Sequence, residues 1–206
     1  MKAFSIQEAL LAGWTAFKIQ AGDFIALLLL VGILSVLPNW AIQQIQIVWL
    51  ALLLGFILLP FQYFLYAGVI KIVLAVTDDG KPVRMNDLFS AGDIFVNYLL
   101  GSILFGLIMA VGILLLIVPG LIFSVMFLFY GFFIVDKHMG PVEALKASAA
   151  LTKGVRWQLF GFLLDLALLN IAGALLLGVG LLVTIPVSCL ATASVYRKLL
   201  PQTQFV

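Results

Sequence analysis

Charge is scarce in this chain, and so are the residues that most often carry chemistry. Asp, Glu, Lys and Arg make up 10% of its 206 residues against 65% hydrophobic, and the mean hydropathy is +1.25. So few charges cannot cover a soluble domain of this size, so lipid is the expected solvent for most side chains. One cysteine, Cys189, excludes an internal disulfide and a cysteine-based metal site. In its apolar run it reads as a small packing residue. The single His138 offers no catalytic or metal cluster, and a net charge of +2 is too small to suggest nucleic acid. Runs of alternating polarity are missing too. Barrel strands would show about ten such residues each, whereas these runs are continuous and Leu-rich, so an all-α integral membrane protein is expected.

Six transmembrane helices can be read along the chain. Ser5 with Glu8 three residues on is a capping-box start. Ile6, Leu10, Trp14 and Phe17 then recur at helical spacing, as in an amphipathic helix lying in the membrane interface. The acidic Glu8 and the missing small-residue cleavage site argue against a secretory signal. Gly22 and Asp23 break the pattern. Span one follows from Phe24 to about Ile42, with a bend at Pro38, and span two from Ile47, leaving the membrane near Ile70 with Lys71 snorkelling. A polar turn at 77–83 and a short helix from Met85 to Ala91 lead to span three, Asp93 to Ile117. A sharp turn at Pro119-Gly120 gives span four, Leu121 to Val135. A charged interfacial helix, Val142 to Lys153, turns at Gly154 into span five, Trp157 to Leu177. Gly178 to Gly180 turns into span six, Leu181 to about Tyr196.

Charge placement supports that layout. All 11 basic residues, from Lys2 to Lys198, fall before span one, between spans two and three, between four and five, or after six. The three opposite loops have none. The positive-inside rule then puts both termini in the cytoplasm.

An internal repeat is also visible. Gly112, Leu114 to Leu116 and Val118 match Gly173, Leu175 to Leu177 and Val179, with Asp136-Lys137 in register with Arg197-Lys198. Glu8-Ala9-Leu10 echoes Glu143-Ala144-Leu145. The units, 5–76, 83–137 and 141–198, would be three parallel helix hairpins within one polytopic domain.

Ile117-Val118-Pro119-Gly120, Ile134-Val135-Asp136, Gly140-Pro141 with Glu143-Ala144-Leu145, Ser148, Leu151-Thr152-Lys153-Gly154 and Trp157 form a further pattern. With Glu8-Ala9-Leu10, Gly13-Trp14 and Phe17-Lys18 it covers most of the chain. It resembles a prokaryotic family of six-span membrane proteins related to the membrane domain of glycerophosphoryl diester phosphodiesterases. The resemblance implies an association with lipid head-group metabolism and carries no active site to transfer. The 206 residues leave no room for the soluble phosphodiesterase domain, and one histidine cannot supply its metal-dependent chemistry.

Candidate sites are few. Asp165 is the one acid placed within the hydrocarbon, about 13 Å beyond Arg156 at 1.5 Å per residue. An ionisable group at that depth either marks function or stays protonated and bonds between helices. Its helical face, with Gly161, Phe162, Leu168, Leu169 and Ala172, is expected to meet other helices, where Ser102, Tyr130, Asn170, Ser188 and Thr192 would be polar neighbours. Lys146, Lys153 and Arg156, with Trp14 and Trp157, are candidate contacts for anionic lipid head groups or a protein partner; a solvated, anchored helix face is the plainer reading. Ser102, Gly106 and Ala110 form a small-residue stripe suited to close helix packing, within the chain or between copies. Asp78 and Asp79 read as a cation site or a solvated turn.

No paired carboxylates or nucleophile and base sets occur in the spans, so neither an enzyme nor a cofactor is expected. The expected role is a membrane module that associates with lipid or protein, or with another copy of itself. The alternative is a transporter of a small or amphipathic solute, using Asp165. A transporter calls for a polar midplane cavity that Asp165 reaches; a module calls for a closed interior with apolar grooves facing outward.

Overall fold

The computed structural model describes residues 4–115 and 117–202, and all regular structure among them is helical. The helices are α1 (Ile6–Ile19), α2 (Ala21–Gln43), α3 (Val48–Asp79), α4 (Phe95–Leu115), α5 (Ile117–Met126), α6 (Tyr130–Lys137), α7 (Pro141–Leu151), α8 (Arg156–Leu175) and α9 (Leu181–Leu199), with a 3-10 turn at Met85–Phe89.

Five stretches are long and apolar enough to cross a membrane: α2, α3, α4, the α5–α6 pair and α8. The chain is a multi-pass membrane protein. The sixth expected span forms helix α9 but does not reach the apolarity of the others. Ser188, Ala191, Ala193 and Tyr196 of α9 are buried, and α1, α2, α3 and α8 all pack against it. A helix so enclosed meets little lipid and has less need of apolar side chains.

Three boundaries differ from expectation. α2 starts at Ala21, so Gly22 and Asp23 belong to its first turn. Pro119 and Gly120, where a turn is expected, lie inside helix α5. Pro119 sits in the first turn of α5, where its missing N–H costs no hydrogen bond, and Gly112 and Gly120 let the α4–α5 hairpin close tightly. Span four is broken at residues 127–129 into α5 and α6.

Each short segment packs on the long helix that precedes its own hairpin in a cyclic order. α1 lies along α9, the 3-10 turn along α3, and α7 along α6. The approaches are close: a Cβ on Gly13 would lie 2.6 Å from the Val187 carbonyl oxygen and 2.9 Å from the Ala191 nitrogen, and one on Gly68 would collide with the Leu88 carbonyl. α1 and α7 are therefore core elements as well as amphipathic ones, with Ala9, Gly13 and Phe17 of α1 and Ala144, Ala147, Ser148 and Leu151 of α7 buried. Ser5 caps α1, its Oγ accepting from the Glu8 N–H at 3.3 Å. The return half of the capping box is replaced, because the Glu8 carboxylate pairs with Lys198 Nζ at 2.7 Å.

Candidate functional site

The charged ends of three helices meet. Arg197, near the end of α9, donates from Nη1 to Asp136 Oδ2 at 2.8 Å and from Nη2 to Asp136 Oδ1 at 2.7 Å. From Nε it also reaches Asp78 Oδ1 at 2.6 Å, and from Nη2 Asp78 Oδ2 at 2.5 Å. Tyr196 donates to Asp136 at 3.0 Å, and its buried ring packs against Phe129, Phe132 and Phe133. A planar guanidinium is suited to two forked carboxylate contacts at once. Burial works against its charge, but hydrogen bonds and attraction from Asp136 and Asp78 outweigh that and hold the Arg197 pKa above its ordinary value. Asp78, exposed in the last turn of α3, pairs with Arg197 and so ties α3 to α9. The side chain of Asp79 lies outside the described residues.

A second polar cluster holds the break in span four. Ser148 of α7 accepts from the Phe129 N–H and donates to the Met126 carbonyl, both at 3.0 Å. Thr152 donates to the same carbonyl at 3.2 Å. Backbone groups freed by a helix break inside a bundle must find partners, and here α7 supplies them. Sequence reasoning missed this cluster. Its available signal was Ser148 and Thr152, four residues apart and so on one face of a helix that packs by that face.

The expected intramembrane site does not assemble. Asp165 is exposed on the outer side of α8, because the buried stripe of that helix runs through Leu159, Phe162, Leu166 and Gly173 and leaves position 165 beside it. The other candidates form separate local pairs. Ser102 meets Tyr130 at 3.1 Å, Asn170 donates to Ser188 at 3.1 Å, and Thr192 bonds back to the Ser188 carbonyl at 2.7 Å. The small-residue stripe is open beyond Ser102: Gly106 and Ala110 are exposed, and nothing lies within 4 Å of a Cβ built on Gly106. Close approach on α4 is made instead by Gly101 against Ile134 and Gly112 against Phe123.

Two concavities lie between α9 and its neighbouring helices. One of about 210 Å³ is lined by Val69, Ile70, Val73, Phe132, Ser188, Cys189 and Thr192. A smaller one of about 110 Å³ lies between Phe24, Leu27, Val73, Pro186 and Cys189. Both are predominantly apolar, and neither is lined by Asp165. A groove of about 400 Å³ opens outward between α5 and α8, lined by Val118, Leu121, Ile122, Val125, Arg156, Trp157 and Phe160. Of the expected surface contacts, Arg156 and Trp157 line this groove, and Lys153 shares a shallower concavity with both. Lys146 is exposed on α7 and Trp14 on α1, away from either concavity. No group of three or more His, Cys, Asp or Glu side chains suited to a metal ion occurs among the described residues.

The chain has relatives in mycobacteria. It is 31% identical over 152 residues to uncharacterized protein Mb2590 of Mycobacterium bovis and uncharacterized protein Rv2560 of Mycobacterium tuberculosis. The matched region takes in 73% of this chain and 46% of each relative, so the chain spans about half the length of the curated relatives it matches. No family model matches the chain, and no solved structure matches it.

Proposed function

We propose that the chain is a non-enzymatic module of a prokaryotic cytoplasmic membrane that associates with lipid, its interior closed and its binding surface facing outward. The observation that carries this reading is that Asp165 lines none of the concavities described above. Asp165 faces outward, Ser102 pairs with Tyr130 and Asn170 with Ser188, and an apolar concavity opens between α5 and α8. A solute pathway needs polar groups converging on an enclosed space, and among the described residues Asp165 lines none of these concavities.

Six spans with both termini cytoplasmic are part of the proposal. α9 is 19 residues long, about 28 Å at 1.5 Å per residue, close to the roughly 30 Å hydrocarbon thickness. Three parallel hairpin units are proposed as well. Support comes from the cyclic packing of α1, the 3-10 turn and α7, and from Asp78, Asp136 and Arg197 meeting at the ends of the three returning helices. Kinship with the membrane domain of glycerophosphoryl diester phosphodiesterases rests on the motifs and agrees with a lipid-facing role.

The test is purification in native lipid followed by mass spectrometry of everything that stays bound. Retained phospholipid at defined stoichiometry is the expected result. A small polar solute retained without lipid would overturn the reading.

A further inference from the structure

The groove between α5 and α8 has a charged mouth. Its walls are Val118, Leu121, Ile122 and Val125 on one side and Phe160 and Trp157 on the other, and Arg156 stands at its edge. Among the described residues Arg156 makes one hydrogen bond, from Nη2 to the Ala149 carbonyl at 3.5 Å, while its Nε is buried without an acceptor. A guanidinium offers five donors, so most of this one's capacity is free for a ligand. Lys153 lies beside it, across the left-handed turn at Gly154 (φ 92°). Neither cation has a carboxylate partner among the described residues, and the sequence between Glu143 and Asp165 holds no acid at all. The first turn of α8 starts at this point with no side-chain cap, which adds the positive end of a helix dipole.

We infer that this groove is a binding site for an anionic phospholipid, one acyl chain lying between α5 and α8 and the phosphate held by Arg156 and Lys153. The inference rests on the lipid-associating reading and makes it specific. Lipid tails are as apolar as the groove walls, so the acyl chain gains little by leaving the bilayer; selection must come from the head group. A zwitterionic head group brings a trimethylammonium or ammonium alongside its phosphate, whereas a phosphatidylglycerol brings net negative charge to two unpaired cations. Each basic side chain near an anionic head group is worth about a fivefold preference. Trp157, largely exposed at the rim, has the amphipathic ring favoured at head-group level.

The experiment is native mass spectrometry of the full chain from bilayers of equimolar phosphatidylglycerol and phosphatidylcholine. The wild type is expected to retain the anionic lipid at least fivefold over the zwitterionic one. Arg156→Gln with Lys153→Gln should remove that preference, Arg156→Lys should keep part of it, and Ile122→Trp, which fills the groove without touching charge, should lower retention of both lipids. Ile122→Trp and Lys153→Gln carry the test if the Arg156 variants fail to fold. A wild-type preference that survives the double charge variant and the groove-filling variant would overturn this site while leaving lipid association intact. A wild type that retains no lipid, or is seen only as a lipid-free dimer, would overturn both.

Discussion

Arg197 and Asp136 form a forked ion pair, with Nη1 2.8 Å from Oδ2 and Nη2 2.7 Å from Oδ1, while the same guanidinium holds Asp78 on the other side. Three helices far apart in sequence, α3, α6 and α9, are fastened at their ends by one side chain. Removing it leaves the largely buried Asp136 facing the exposed Asp78 with no cation between them. Arg197→Ala is therefore expected to lower stability by about 2 to 4 kcal/mol, near the lower range for a broken buried pair because the cluster is partly exposed. Arg197→Lys should recover less than half, since an ammonium cannot grip both carboxylates in forked fashion. Thermal unfolding in detergent, with a double-mutant cycle to Asp136→Asn, measures both; an unchanged melting temperature for Arg197→Ala would show that the cluster fastens nothing.

Ser148 and Thr152 make a second test. Ser148→Ala should cost about 1 to 3 kcal/mol by stranding the Phe129 N–H and halving the partners of the Met126 carbonyl. Adding Thr152→Val should cost more than the sum of the singles, because the second change leaves that carbonyl without a side-chain donor. Strictly additive melting shifts would show that α7 does not brace the break.

The contrast between these two clusters explains how far the sequence could be read. Helix positions were legible because apolar runs, the Ser5 cap and the glycine turns at Gly154 and Gly178 are local signals. The meeting of helix ends was half legible, since Asp136-Lys137 and Arg197-Lys198 occupy corresponding positions. The break at 127–129 was not, because it lies in an unbroken apolar run and its partners come from α7, beyond the whole of helix α6. Asp165 was misplaced for a geometric reason. Helical faces read from spacing alone carry no absolute phase, and one residue is 100° on an α-helix; Leu166 points inward and Asp165 does not.

Glycine contacts test the cyclic packing directly. Gly13→Ala and Gly68→Ala place a methyl group against backbone of α9 and of the 3-10 turn, and each should destabilise by about 1 to 3 kcal/mol. Gly106→Ala, with open space around it, should be neutral or slightly stabilising through helix propensity. Equal effects at all three positions would contradict the packing described.

The six-span layout predicts the sidedness of its loops. In a Cys189→Ala background, cysteines at Asn39, Pro119 and Val179 should react with a membrane-impermeant thiol reagent in whole cells, and one at Met139 should not. Labelling at Met139 in preference to Asn39 would reverse the topology. Equal labelling of Met139 and Val179 would place both ends of α8 on one face and remove α8 as a span.

The closed interior is the claim on which the functional reading depends, and the chain carries its own reporter. Cys189 lines both inner cavities, between α2 and α3 on one side and Phe132 on the other. In the unmodified protein, reconstituted and exposed to a charged, water-soluble maleimide on both membrane faces, Cys189 should stay unlabelled until the protein is denatured, when it should label completely. Rapid labelling of the folded protein would mean that water reaches the centre of the bundle, and the account of a closed, lipid-facing module would be contradicted.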